Sequence, residues 1–248
     1  MLAIFKKELR SYFINAVGYV FAGVFLAVSA FLCCLTTIQN KSYSTSSYFS
    51  TVLFLFIIII PLLTMRLFAE EKKLRTEQML LTAPVSIAGM IMGKFLAAFS
   101  LFGGGILLSC INFIPLYVYG AKEREGATYA EMHVGPITSE IISCLIGLLL
   151  IGAAFIAIGM FVSSLTENQL AAAVVTVTVI LIMLVLDMLN TYIDAYAIRF
   201  VLSWFSILTR FADFTYGMLD ISSVIYFMSI TGVFLFLTAR IYDKRRWG

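Results

Sequence analysis

Six stretches of this sequence are apolar over about the 20 residues that a helix needs to cross the hydrocarbon core of a bilayer. They run approximately Val17–Ile38, Tyr48–Met65, Phe95–Tyr119, Ile141–Thr166, Asn168–Leu186 and Ile221–Ala239. Lipid offers a backbone no hydrogen-bond partners, so each such stretch must satisfy its own N–H and C=O groups as an α-helix. The expected fold is therefore all-α, a polytopic membrane protein with six transmembrane helices. Composition agrees: 61% of the 248 residues are hydrophobic and only 12% charged, about half the charge of a soluble domain. The turn at Thr166, Glu167 and Asn168 predicts that the fourth and fifth spans form a tight hairpin.

Lys6, Lys7 and Arg10 precede the first span, as in a signal peptide. The apolar run that follows is long and lacks a small-residue cleavage site, so it is expected to be retained. With six spans, both termini share a side with the connections after spans two and four. That side carries 12 of the 17 lysines and arginines and the other carries 5. The positive-inside rule then predicts cytoplasmic termini in a cell membrane. The longest connections, about Arg66–Lys94 inside and Asn190–Asp220 outside, are too short for a core of their own. Residues 1–248 are expected to form a single transmembrane domain.

The start of the chain places Leu2, Phe5, Leu9 and Phe13 at helical spacing, with Lys7, Glu8 and Ser11 opposite. This pattern predicts an amphipathic helix lying in the membrane interface. Charge is densest from Arg66 to Ser86. There Glu71 and Arg75 stand i,i+4 in the favourable order, Pro84 stops a helix and Ser86 can cap the next. The residues alone fit either a short charged helix held out between two spans or a solvated loop.

Catalytic constellations are missing. His133 is the only histidine and falls in an external loop beside Glu131. Gly89-Met-Ile-Met-Gly93-Lys94-Phe95 lacks the spacing and the Ser or Thr of a phosphate-binding loop, and its small residues four apart suit close helix packing instead. Cys33, Cys34, Cys110 and Cys144 lie within apolar runs and are expected to act as small hydrophobes. Glu140 and Asp187 sit at span ends, which disfavours an ion-coupled carrier with ionisable groups at mid-membrane. Neither metal, cofactor nor nucleic acid is expected on this chain. Between spans five and six, Ile193, Ala197, Phe200, Trp204, Leu208 and Phe211 share one helical face, predicting short external helices anchored by aromatics at the interface.

Glu70-Glu71-Lys72-Lys73, Thr76, Leu80-Leu81-Thr82-Ala83-Pro84-Val85-Ser86 and Gly93-Lys94 together resemble the region between the second and third spans of ABC-2 type transporter permeases. The run Phe211–Phe227, followed by Phe234-Leu-Phe-Leu-Thr-Ala-Arg240, resembles their gliding-motility-associated and copper-processing subgroup. One departure is Arg75, where many relatives have glycine. The resemblance implies a permease, mostly of exporters, driven by two copies of a separate cassette ATPase that binds the ATP and Mg. Six spans are half the usual complement, which implies a second permease copy or paralogue within the bilayer and leaves room for an accessory membrane or extracytoplasmic subunit. It further implies that Glu70, Glu71, Lys72, Lys73, Arg75, Thr76 and Glu77 form the surface that docks on the ATPase, with Thr82, Pro84 and Ser86 shaping the next turn. Phe200, Trp204 and Phe211 would contribute to an external gate. A membrane scaffold or anchor without transport is the alternative.

Overall fold

Self-satisfied backbone is what the apolar runs demand, and the computed structural model is helical through nearly all the residues it describes: 1–14, 17–39, 43–76, 86–126, 136–190 and 206–247. In chain order the helices are α1 (Leu2–Ile14), α2 (Val17–Cys33), α3 (Ser46–Thr64), α4 (Arg66–Lys73), α5 (Ile87–Ser109), α6 (Ile114–Gly126), α7 (Thr138–Leu165), α8 (Gln169–Asn190), α9 (Leu208–Thr215) and α10 (Ile221–Trp247). A π-helical turn, Cys34–Ile38, extends α2, and a 3-10 turn, Cys110–Phe113, joins α5 to α6. Six of the helical stretches are long and apolar enough to cross a membrane: Gly18–Ile38, Ser46–Lys73, Ile87–Gly120, Thr138–Leu165, Gln169–Asn190 and Ile221–Arg246.

The expected hairpin is present. α7 ends at Leu165, and Asn168 starts α8 by accepting the Leu170 N–H at 3.0 Å on its side chain. Ser86 caps α5 as expected, accepting from Gly89 N–H at 3.2 Å. Asp220 does the same for α10 through Ser222 and Ser223. The Ser222 N–H, ahead of the Ser223 groups, holds the Asp220 carboxyl below its usual range. The third span starts earlier than hydropathy suggested, at Ile87 rather than Phe95, so Lys94 lies two turns inside a helix and not in the connection before it.

α7 occupies the centre and packs against α3, α4, α5, α8, α9 and α10. A helix surrounded on all sides must let its neighbours in, and small residues do this by bringing backbones close. A Cβ on Gly152 would stand 1.9 Å from the Phe102 ring, and one on Gly159 would stand 2.2 Å from Thr64 Oγ1. Phe102 in turn meets Phe56 edge to face, 4.9 Å between centroids, so α3, α5 and α7 close on one aromatic joint. The outer helices α2, α8 and α10 instead leave Val20, Phe31, Val174, Ile182, Val233 and Phe236 exposed, as lipid-facing residues should be.

α1 packs along α5 and α2. Gly93 allows this approach, since a Cβ there would stand 3.2 Å from the Ile4 side chain and 3.3 Å from the Met1 carbonyl oxygen. The packed line is Ile4, Glu8 and Tyr12, while Leu2 and Phe13 are exposed. The helix thus keeps apolar side chains free for a membrane interface while Glu8 is drawn inward to a buried ammonium.

Space at Gly152 makes a direct test. Gly152→Ala overpacks the joint, and overpacking costs about 1–3 kcal/mol. The melting temperature of the detergent-solubilised protein should fall by several degrees. Gly104→Ala, where an added Cβ meets nothing within 4 Å, should leave it unchanged or raise it, as alanine favours helix.

Candidate functional site

Charged side chains gather at the end of the bundle that carries both termini, around α4. This helix continues α3 almost without a break; the Met65 N–H still reaches the Pro61 carbonyl at 2.9 Å. At the junction the first N–H groups of α4 need partners. A side chain from the central helix supplies one. Ser163 Oγ accepts from the N–H groups of Phe68 and Ala69, each at 3.2 Å, and donates to the Met65 carbonyl at 3.2 Å. Leu67, Phe68 and Ala69 are buried against the bundle, which fixes the rotation of α4 and sends its charged residues sideways and outward.

Lys94 is the centre of this region and is 1% exposed. Its ammonium has three protons, and three acceptors surround it: Glu71 Oε1 at 2.8 Å, the Leu67 carbonyl at 2.8 Å and Glu8 Oε1 at 3.0 Å. The Phe68 ring centroid lies 5.1 Å away. Lys7 stands 4.0 Å from both carboxylates at the exposed rim, so two positive charges face two negative ones. One buried cation thereby ties α1, α4 and α5 together. Beside it, Tyr12 lies with its hydroxyl 3.5 Å from the Leu63 carbonyl. Burial, ahead of the Glu8 charge, pushes that hydroxyl above its usual range and keeps it a neutral donor.

A second tie closes on the last carbonyls of α7, which have no partners within their own helix. Lys72 Nζ and the Arg245 guanidinium, the latter at 3.1 Å, both donate to the Ser164 carbonyl. Cations suit a helix C-terminus, where the macrodipole is negative. The Phe68 and Tyr242 rings meet at 4.9 Å beneath them, bringing α10 into the same cluster.

The residues expected to form one docking surface separate into two groups. Glu70, Glu71 and Lys72 are half-buried and engaged within the protein: Glu70 with Arg66 (2.8 and 3.0 Å), Glu71 with Lys94, Lys72 with Ser164. Lys73, Arg75 and Thr76 are exposed at the tip, with Leu74 beside them. Glu77, Thr82 and Pro84 lie outside the described residues. The expected Glu71–Arg75 pair does not form, because the helix ends before Arg75. Thr76 N–H bonds the Glu71 carbonyl and Arg75 N–H the Lys72 carbonyl, both at 3.0 Å, and Arg75 has φ 56°. These are the two bonds of a Schellman cap, and Arg75 holds the left-handed position that glycine usually takes. Neither Ser163, Ser164, Tyr12 nor Arg245 carried a sequence signal for these roles; Lys94 carried one, in its place within the Gly93-Lys94 pair.

At the opposite end, Asp187 of α8 is 3% exposed and caps α9. It accepts from Ser206 Oγ at 2.7 Å, from Thr209 N–H and Oγ1 at 3.0 Å each, and from Leu208 N–H. Phe211 lies within the core, with Phe214, against Gly147 of α7. Phe200, Trp204 and His133 lie outside the described residues. Nearby, a hydroxyl-rich cavity of about 690 Å³ opens between the starts of α3 and α7, lined by Ser46, Ser50, Ser139 and Thr215 with the buried Glu140 among them.

Two substitutions report on the cluster. Lys94→Met strands two carboxylates, and breaking a buried pair costs about 3–5 kcal/mol. The thermal midpoint should drop sharply, and Lys94→Met combined with Glu8→Gln and Glu71→Gln should recover much of the loss. Arg75→Gly removes the cost of a left-handed side chain, about 1–2 kcal/mol, so its midpoint should rise while Arg75→Val lowers it.

A family model described as ABC-2 family transporter protein matches residues 35–241, well over half of the chain. The match takes in α4, Lys94, Ser163 and Ser164, and leaves α1 and α2 before it and Tyr242 and Arg245 after it. No curated protein matches the chain.

Proposed function

The chain belongs to the ABC-2 family of transporter proteins, and on that premise we propose that it is the transmembrane permease subunit of an exporter driven by a separate ATP-binding cassette ATPase. The end with both termini faces the cytoplasm of a cell membrane, where the excess of lysine and arginine belongs. Two ATPase subunits bind there and hold the ATP and Mg. A second permease copy or paralogue completes the translocation path, and cargo leaves along the interface between the two permeases. The pattern from Phe211 to Arg240 supports membership of the gliding-motility-associated and copper-processing subgroup.

Burial of Lys94 between Glu8 and Glu71 is the observation that supports this assignment best. A surface that receives a push from a partner must be stiffly joined to what it moves. The exposed tip, Lys73, Arg75 and Thr76 with Glu77 following, docks on the ATPase. Glu70, Glu71 and Lys72 stand behind it and hold the tip to the bundle. When ATP closes the ATPase pair, the displaced tip carries α4 with it. Movement of α4 reaches span two directly through its continuity with α3, and reaches α1, α5 and α7 through Lys94, Ser163 and Ser164. The polar cavity beside Glu140 serves as the external vestibule, next to the α9 segment that contributes to the gate.

Copurification with a coexpressed cassette ATPase tests the assignment; a stable, active chain that never associates with one would overturn it. Charge reversal at the tip, Lys73→Glu with Arg75→Glu, should lower the ATPase activity of the reconstituted complex severalfold without moving the permease's melting temperature. Unchanged coupling in that variant would place the docking surface elsewhere.

A further inference from the structure

Helices α8 and α10 both lean on α7 without closing on each other, and between them runs an apolar groove of about 490 Å³. Leu186 and Tyr226 line its outer end, Val179 and Phe234 its inner end, with Ile182 and Val233 between. It runs from Val179 to Leu186 along α8 and from Tyr226 to Phe234 along α10, seven and eight steps that at 1.5 Å each come to about 10–12 Å. α8 ends and α10 begins at the face opposite the termini, so the groove starts near that interface and stops near the bilayer centre. Its length is close to that of one leaflet's hydrocarbon, about half of 30 Å. A transmembrane helix of a second subunit would instead need an apolar face running the full thickness.

Beside the mouth of this groove lies a cation that forms no ion pair among the described residues. The Arg210 guanidinium rests on the Tyr226 ring at 4.2 Å, and Tyr226 lines the groove. Arg210 Nε is buried without a hydrogen-bond partner, and among the described residues no carboxylate pairs with Arg210. The nearby acids are held elsewhere: Asp187 accepts from four donors at the start of α9, and Asp220 from Ser222 and Ser223 at the start of α10, so that Asp220 feels the Arg210 charge without contacting it. A guanidinium left in this state beside an apolar wall incurs a desolvation cost that a phosphate would offset through charge-assisted hydrogen bonds.

We infer that this groove binds a phospholipid of the leaflet opposite the termini, its acyl chain lying between α8 and α10 and its phosphate held by Arg210. The inference rests on the chain's crossing a membrane and is independent of any ATPase partner. Native mass spectrometry of the purified full-length chain, titrated with phosphatidylglycerol, tests it. Arg210→Gln should weaken phosphatidylglycerol binding about tenfold, and Val233→Trp, which fills the groove from an exposed position, should weaken it as much. Diacylglycerol with the same acyl chains should bind more weakly than phosphatidylglycerol, and glycerol 3-phosphate should not be retained. Wild-type affinity in both variants would overturn the site, and equal affinity for diacylglycerol would overturn the role of Arg210. A photocrosslinker at Val233 should capture lipid; capture of a second copy of the chain instead would make the groove a subunit interface and overturn the proposal.

Discussion

An ammonium placed inside an apolar bundle must be neutralised and fully hydrogen-bonded, and most of the organisation at the basic end of this protein follows from meeting that demand for Lys94. Three protons need three acceptors, and these come from two helices other than its own: a carboxylate on α1, and a carboxylate and the Leu67 carbonyl on α4. Glu8 can reach only if α1 turns Ile4, Glu8 and Tyr12 toward α5, and the bare surface of Gly93 makes room for that approach. Glu71 can reach only if α4 is rotated so that its flank lies beside α5, a rotation that the burial of Leu67 and Phe68 fixes. Such a buried pair adds little net stability compared with well-packed apolar residues, yet it penalises every arrangement in which a partner is missing. Its effect is to allow one relative placement of three helices.

The serines at the end of α7 solve a related problem with neutral groups. Where α3 passes into α4, backbone donors would be left over, and one hydroxyl from Ser163 accepts two of them while returning its proton to Met65. Where α7 stops, its last carbonyls would be left over, and Lys72 and Arg245 converge on Ser164. At the other end Asp187 fulfils the same need for α9. Each device is a polar side chain completing the backbone of a different helix. That is the economical way to join helices in a setting where unsatisfied groups are costly. Through these ties α4 is joined to α1, α5, α7 and α10 as well as to α3.

Much of this was legible beforehand, because a bilayer restricts the solutions so strongly. The six spans, the hairpin at Glu167 and the cap at Ser86 all follow from local patterns, whereas the charged segment after span two fitted a helix or a loop equally. Local pattern misled where a residue's partner was distant in sequence. Glu71 and Arg75 have ideal helical spacing, but the chain takes a left-handed turn at Arg75, and Lys94 lies within reach of Glu71 from 23 positions away. Hydropathy likewise treated Lys94 as a flank, since a lysine scores as polar whether or not a carboxylate awaits it. The apolar residues of α1 mark it as amphipathic, but nothing along the chain shows that Glu8 turns inward to Lys94.

The amino-acid sequence by itself determined that this chain is a bundle of membrane-spanning helices with a basic, charge-dense end, because chain length, apolar runs and charge placement act without reference to any fold. It also carried the ordered motifs that mark the ABC-2 family. Tertiary structure alone decided which of the charges face inward and which remain at the surface. Within Glu70–Thr76 that division depends on the contacts of Glu71 with Lys94 and of Lys72 with Ser164, 23 and 92 positions away. Such contacts have no periodicity along the chain; they exist only once the helices are packed.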